Sequence, residues 1–564
     1  MRKKVLIILL IVGFPLLLGF VGEAIRGWGV VFDDAFISYR YAENLADGYG
    51  LTWNRGMAPT EGYTNFLLVI ILSFFIRIGL HPLLMTRLLS YLCVLFTALL
   101  FFTVARRQYK ASVPTAFLVS TLAFLISGTR QLCLVGLETV IYSFFLLMTF
   151  HIAVRFIVSN TVKYSVLSGV LAILTMLLRP EAAMLYVAMV FVYLFHSGLV
   201  RRNSFFKSSW PLLLGMLVLM CLGFSYVLWK YFYFGELLPN PFYIKAVHGS
   251  VISTMGCASV RSFLHAHRVI LFTFIFGVFF CCTRFCRDSA TVRTASFLGM
   301  VLFGLNIIFF CMVDTMMDIH GRFLFPMSVV LAYCCIPFLV RVISRIEQIV
   351  PEQSLVYAAL PVLWILIFSS QDILHIRDSL KTLTSGESKE VDGSLMQVEY
   401  RVARSLADFP DIRDVRIAFG DAGVIPFFTG ALWLDPVGLN DGFIARTRDK
   451  EKLVSHFFEF EPDLIIHPGE KDFSWITYGH GPLGDYASWS GDPRWDEYEY
   501  IGTCKTGLYD LQFLVKISGR YYRGLKTYIQ NRVADGKYDI FPYPLGAGGS
   551  SSTNDLNVKW ISFL

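Results

Sequence analysis

Charge is scarce in this sequence. Of 564 residues only 16% are Asp, Glu, Lys or Arg, whereas 55% are hydrophobic; an ordinary soluble domain carries about 25% charged residues. The deficit is local. Residues 4–371 are mostly long apolar runs, and residues 372–564 have the balance of a normal soluble domain. This excludes a cytoplasmic enzyme, a disordered chain and a secreted disulfide scaffold. Cysteine is also sparse where it would matter. Most of the 11 cysteines lie inside apolar runs (Cys93, Cys221, Cys281, Cys311, Cys334, Cys335), and the soluble part holds only Cys504, so it has no disulfide framework of its own. Cys281-Cys282 with Cys286 has no His or acidic ligand at zinc spacing and reads as small apolar residues at a helix end. Phosphate-cradling Gly-rich loops, a nucleophile elbow and paired-histidine zinc motifs are missing as well. The net charge of +7 sits in short clusters between apolar runs, so it reports membrane orientation and not nucleic-acid binding.

What is present is a series of apolar runs, at 4–22, 63–80, 84–105, 112–128, 138–157, 164–178, 180–199, 209–233, 266–283, 294–313, 323–340 and 355–370. A helix needs about 20 apolar residues to cross a bilayer. The first run resembles a signal peptide, but no clear small-x-small cleavage site follows, so it reads as an uncleaved anchor. The basic clusters are Arg2-Lys3-Lys4, Arg106-Arg107-Lys110, Arg155 with Lys163, Arg201-Arg202-Lys207, Arg284-Arg287-Arg293, and Arg341 with Arg345. If 63–80 crosses, the first cluster is inside and the other five are outside. If it does not, all six are inside, as the positive-inside rule requires. Eleven crossings are therefore expected, with the N-terminus cytoplasmic and the C-terminal domain extracytoplasmic. The 63–80 run would lie along or dip into the outer leaflet.

This topology collects the unusual polar residues on the outer side. The loop after the first span runs Phe32-Asp33-Asp34, Tyr39-Arg40, Glu43-Asn44, Asp47-Gly48. Its spacing suggests an amphipathic helix at the membrane surface, with Asp33 near its N-terminus. Two Gly-flanked breaks follow, then Glu61-Gly62-Tyr63-Thr64-Asn65. Glu138, the Arg179-Pro180-Glu181 hinge, Asn240 with Lys245, and Asp318, His320 and Arg322 share that side. Ionisable groups at membrane depth are costly and usually face a cavity, paired. Glu138 alone reads as an anchor, and Arg179-Pro180-Glu181 alone reads as a helix cap with Pro180 near the first helical position. Five clusters converging on one face are better explained by a polar cavity opening outward. Two adjacent carboxylates, Asp33 and Asp34, make poor anchors and a poor helix interior. This kit suits a carboxylate that takes a proton from an acceptor hydroxyl while cations stabilise a departing phosphate. The substrate would be a lipid-linked phosphosugar.

The stretch from Asp33-Asp34 to Gly48, with Gly50-Leu-Thr-Trp-Asn54 and Glu61-Gly-Tyr-Thr-Asn-Phe66, resembles the opening of bacterial GT-C glycosyltransferases. It most resembles the branch containing the mycobacterial terminal β-(1→2) arabinofuranosyltransferase. Gly136-Leu-Glu-Thr139, Arg179-Pro-Glu181, Phe234 to Asn240 with Lys245, Arg322 to Pro326, and the soluble segments Phe419–Gly423 and Asp435–Asp441 are similar to further landmarks. The resemblance covers most of residues 30–470. It implies a multi-span enzyme using polyprenyl-phosphate sugars, usually with inversion, with a horizontal helix pair in its first outer loop. Its essential acid maps onto Asp33 and Asp34. Together, topology and resemblance suggest Asp33 or Asp34 as general base and Arg179, Lys245 and Arg322 as phosphate ligands. Glu138, Glu181, Asn240 and His320 would orient sugar hydroxyls, and Tyr39, Arg40, Asn44, Glu61, Asn65 and Asp318 are further candidates for substrate binding. Relatives often carry Gly-Gly-Asp before the Arg-Phe element. This chain has Met312-Val313-Asp314 and an Asp318 after two methionines, which leaves open which Asp faces the cavity. The metal requirement is also open: no cofactor is certain, and a divalent cation is an option.

The expected architecture is an α-helical polytopic membrane protein of the GT-C type. It comprises a transmembrane domain (1–371, first outer loop 23–83), an extracytoplasmic α/β domain (372–541) and a flexible tail (542–564). In the α/β domain Val415–Phe419 and Leu464–His467 read as buried strands, and Tyr521–Val533 as a helix. The expected function is sugar transfer from a polyprenyl-phosphate donor to a cell-envelope glycan or lipid acceptor, at the outer face of a bacterial inner membrane. Partners would be these substrates and membrane lipids, with no nucleic acid. The alternative is a transporter or flippase of lipid-linked sugars, which would show internal repeats and broken helices near the bilayer centre; no such repeat is evident. A reporter fused after Lys110 should read cytoplasmic in a topology assay; an extracytoplasmic reading would overturn the eleven-crossing topology.

Overall fold

The computed structural model describes residues 32–200, 209–245, 252–282, 290–315, 318–349, 395–469, 482–483, 486–504 and 510–532. The expected anchor at 4–22, the run at 355–370, the linker at 379–394 and the tail at 542–564 lie outside these residues. The chain divides into two compact units. One takes in Arg87–Leu228 and the described residues from 252 to 349; the other takes in residues 32–86 and 229–245 and the described residues from 395 to 532.

The first unit is helical. Six helices, the first beginning just ahead of this unit, are long and apolar enough to cross a membrane: Pro82–Gln108, Thr139–Ser159, Pro180–Ser197, Trp210–Phe234, Ala290–Met312 and Phe325–Ile349. The chain is thus a multi-pass membrane protein. All six are among the expected eleven. Two of the remaining five runs are outside the described residues, and three form shorter, broken or bent helices. The 112–128 run breaks into Val113–Ser120 and Leu122–Leu125. The 164–178 run is the 17-residue helix Val162–Leu178, about 26 Å long at the α-helical rise and at the lower limit for a spanning helix. The 266–283 run is one limb of a pair, Thr254–Ala266 and Arg268–Phe279, bent by 76°. Six helices, or seven if the bent pair is one span, are thus long and apolar enough to cross among the described residues. The Thr139–Ser159 helix is the centre of the unit. It packs against Val162–Leu178, Ala183–Val200, Ala290–Met312 and Phe325–Ile349. Trp210–Phe234 instead exposes Leu217, Met220 and Phe224, as a lipid-facing helix must.

The second unit is built on a five-stranded mixed sheet. Its strands are β1 (Arg416–Ala418), β2 (Leu432–Leu434), β3 (Leu464–Gly469), β4 (Tyr498–Cys504) and β5 (Asp510–Lys516), in the order β2-β1-β3-β5-β4. β1 pairs parallel with β2 and β3, whereas β3 with β5 and β5 with β4 are antiparallel. β5 is buried along nearly its whole length, which explains its unbroken apolar run Leu511 to Val515 with one polar residue, Gln512. Helix Lys450–Glu459 covers the sheet with Leu453, Phe457 and Phe458, joined by Trp489 and Trp495.

Residues 32–86 belong to this same unit. The helix expected at the membrane surface is there, Asp33–Ala46, but ten of its fourteen residues are buried. It is enclosed between helix Phe66–Arg77 and helix Val424–Thr429 and is not a surface amphipath. Phe66–Arg77 has 12 residues, about 18 Å, too short to cross a bilayer. Arg40 is the pin of the assembly. Its guanidinium donates to the carbonyls of Trp53 (2.8 Å), Ala431 (2.7 Å) and Pro426 and to Asn54 Oδ1 (3.0 Å), and stacks on the Trp53 ring. Asn54 in turn closes the open edge of β2. Its Oδ1 accepts from Trp433 N at 2.8 Å and its Nδ2 donates to Trp433 O at 2.9 Å, so one side-chain amide acts as a missing strand. Asn54→Asp keeps the acceptor but loses the donor. It should destabilise this unit by about 1–3 kcal/mol, the cost of a buried unsatisfied carbonyl beside a new buried charge, measured by thermal unfolding of the detergent-purified protein.

Candidate active site

The second unit brings four carboxylates together. Asp33 and Asp34 open helix Asp33–Ala46, Asp421 lies in the turn after β1, and Glu399 projects from helix Leu395–Ala407. Asp33 is buried, and its Oδ1 accepts from Val424 N at 2.6 Å, so it caps the helix Val424–Thr429. The approach is close enough to demand glycine at 423, where a Cβ would lie 1.9 Å from the Asp33 carbonyl oxygen. Burial pushes the Asp33 carboxyl well above its ordinary value, and the charges of Asp421 and Asp34 push it the same way. Glu399 is raised too, first by burial, then by Asp421 and Asp33; it also shares a side-chain hydrogen bond with Asp421. Asp34 is only half-buried. Among the described residues no group of three His, Cys, Asp or Glu side chains is arranged to hold a metal ion.

Several expected binding residues are structural here. Arg40 donates to backbone carbonyls. Tyr39 is fully buried against Phe36 and Phe427. Asn44 donates to the carbonyls of Thr52 and Trp53 and accepts from Arg55 Nε at 3.0 Å. Asn65 accepts from Ser38 Oγ at 3.0 Å. Of these four residues expected to bind substrate, Arg40, Asn44 and Asn65 use polar atoms to tie the first loop to itself and to the segment around β2. Glu61 is buried in an ion pair with Lys230, 2.6 Å away. Lys230 escaped the sequence reading, although a lysine in the apolar run 209–233 was the available clue. Asn240 is buried, and its N–H donates to the Glu61 carbonyl at 3.0 Å. Lys245 ends the helix Asn240–Lys245, and its side chain lies outside what the structure describes.

The first unit holds the remaining candidates. Arg179 is extended, as the residue before a proline must be. It pairs with Glu138 at 3.1 Å and with Glu181 and lies over the Phe323 ring. Arg322 lies over the same ring, 5.0 Å from its centroid. Glu138, Arg179, Glu181 and Arg322 therefore form one cluster, in which two carboxylates already balance Arg179. Beside it, a cavity of about 570 Å³ is lined by Ser127, Gln131, Ser259, Thr315, Asp318 and His320 among others. Asp318 lines this cavity, whereas Asp314 accepts a hydrogen bond from Ser253 Oγ. His320 stands at φ 54°, in the left-handed region, next to Gly321.

Comparison with known proteins follows this geometry. Residues 66–229 match a family described as dolichyl-phosphate-mannose-protein mannosyltransferase, and residues 391–528 match a domain of unknown function, DUF8728. The sequence matches no curated protein. In structure the chain is similar to ArnT from Cupriavidus metallidurans. The apo form gives a TM-score of 0.55 at 12% identity, covering 88% of this chain and 97% of that one. The form bound to undecaprenyl phosphate gives 0.54 at 12% identity, covering 90% and 97%. The archaeal oligosaccharyltransferase AglB from Archaeoglobus fulgidus aligns at 0.47, with 12% identity over 80% of this chain and 68% of that one. In structure the chain thus has the fold of ArnT. None of these matches carries the narrower likeness to the arabinofuranosyltransferase branch.

The Glu399–Asp421 contact makes a pH prediction. Glu399 has a raised value in the folded state, so its contribution is complete below its unfolded value of 4.5 and is lost as pH rises through the folded value. Stability of this unit should decline above about pH 4.5. Glu399→Gln donates to Asp421 without a titrating proton, so the variant should unfold with a flatter pH profile than the wild type. An unchanged slope would refute the shared proton.

Proposed function

We propose that this chain is a membrane glycosyltransferase that moves a sugar from a polyprenyl-phosphate donor to a cell-envelope glycan or lipid acceptor, at the outer face of a bacterial inner membrane. The observation that carries the reading is the likeness to ArnT over 88% of the chain, to which the mannosyltransferase match at 66–229 adds. The reaction is a single displacement with inversion. Asp34 takes the proton of the acceptor hydroxyl, the oxygen attacks the anomeric carbon, and the bond to the phosphate breaks. The polyprenyl phosphate leaves with the electron pair.

Asp34 is favoured over Asp33 as the base because Asp33 is buried as a helix cap and held toward its neutral form. Asp33 is a positioning residue. In the membrane unit Arg179, held by Glu138 and Glu181, and Arg322 are both assigned to the phosphate charge. Asp318 and His320, which line the cavity, are assigned to sugar hydroxyls, and Asn240 and Lys245 remain candidate ligands.

The two carboxylates separate in a transfer assay with a panel of polyprenyl-phosphate sugars. Asp34→Asn should lower transfer by about 10²–10⁴-fold, the range of a lost general base. Asp33→Asn keeps the acceptor for Val424 N and should retain activity to within about tenfold. The reverse ranking would move the base to Asp33, and full activity in both variants would remove the carboxylate mechanism. Binding and movement of the donor without turnover would favour a transporter.

A further inference from the structure

The bent pair of helices meets the end of a spanning helix at a contact between two thiols. Ser253 caps helix Thr254–Ala266, its Oγ accepting from Gly256 N at 2.9 Å. The same residue donates its backbone N–H to the carbonyl of Cys311, 2.8 Å away, near the end of Ala290–Met312. The backbones then touch at Gly256, where a Cβ would lie 2.0 Å from the Phe310 carbonyl oxygen. The next residue, Cys257, shares a side-chain hydrogen bond with Cys311. Both cysteines are half-buried and both are free thiols. Other buried cysteines are differently placed: the Cys334 and Cys335 thiols point to the carbonyls of Ala295 and Ile270.

We propose that Cys257 and Cys311 are a disulfide site that staples helix Thr254–Ala266 to the end of Ala290–Met312. Two helix ends held by a backbone hydrogen bond, with backbones in close approach and the two thiols near enough to interact, place this pair for bonding. The oxidant is an external disulfide, from a small molecule or a thiol–disulfide oxidoreductase. One cysteine thiolate attacks it and releases the first reduced thiol, leaving a mixed disulfide. The second thiolate displaces the other half. Two electrons pass to the oxidant, which leaves as two thiols, and the Cys257–Cys311 bond remains. The staple has a clear mechanical object. Met255, Ala258, Ser259 and Ser262 of the same helix line the 570 Å³ cavity, and Ser259 Oγ is hydrogen-bonded to Thr315 Oγ1 at 2.6 Å. Oxidation would fix that wall, and reduction would release it. The charge pattern of the sequence puts this end of the helices on the outer side, where disulfides persist.

The test uses the full-length protein. Membranes are prepared with N-ethylmaleimide and without reductant, and the protein is digested for peptide mapping; a second sample is treated with 4,4′-dithiodipyridine before digestion. A peptide linking Cys257 to Cys311, in the first sample or after the mild oxidant, supports the proposal. The stapled protein should then melt at least about 3 °C higher than its reduced form, and Cys257→Ser with Cys311→Ser should abolish that difference. Recovery of both cysteines as separate alkylated peptides under both conditions would overturn it. Neither readout depends on sugar transfer, so this inference and the enzymatic one fail separately.

Discussion

The buried guanidinium of Arg40 is the contact on which the second unit depends. A charge of this size has no place in a protein interior unless its donors are used. Here four acceptors supplied by the first loop and the sheet segment take them, and an aromatic ring lies against its face. Removing any one acceptor would leave a charged donor stranded, so the loop, the short helix after β1 and the edge of the sheet are held as one piece. The neighbouring capping of Val424–Thr429 by Asp33 relies on the same registration. The carboxylate cluster exists because those elements cannot slide past one another.

The two candidate clusters obey different electrostatics. In one, carboxylates crowd together, so burial and mutual repulsion push Asp33 and Glu399 toward protonated forms. In the other, Arg179 sits between two carboxylates while a second guanidinium shares its aromatic ring. The first arrangement favours groups that hold or pass protons. The second is a set of opposite charges gathered against one aromatic ring.

Much of this was legible in the sequence. The long runs gave the spanning helices, because burial in lipid needs little beyond length and apolarity. Pro180 predicted the break at 179–181, and Val415–Phe419 and Leu464–His467 read as strands because each is a short, mostly apolar segment with β-branched residues. The helix at 33–46 was also visible, but its environment was not. Its polar residues have the spacing of a surface helix, and only tertiary contacts reveal that Arg40 and Asn44 face carbonyls instead of water. Glu399 was invisible for a related reason. A single acid on an otherwise ordinary amphipathic helix carries no mark of burial, and its partners, Asp33 and Asp421, are far away in sequence. Hydropathy counts residues and cannot see a bend such as that at His267.

The edge closure by Asn54 has a bearing on biosynthesis. The residues it joins, Asn54 and Trp433, are separated by 379 positions, and Asp33 and Val424 by 391. The sheet cannot seal its β2 edge until nearly the whole chain has left the ribosome and the intervening helices have been inserted. Such long closure is slow, and an unsealed strand edge invites pairing with another chain in the meantime. The first loop thus acts as an early-made guard waiting for its late-made client, and the segment from 395 onward is not expected to fold cleanly when expressed alone.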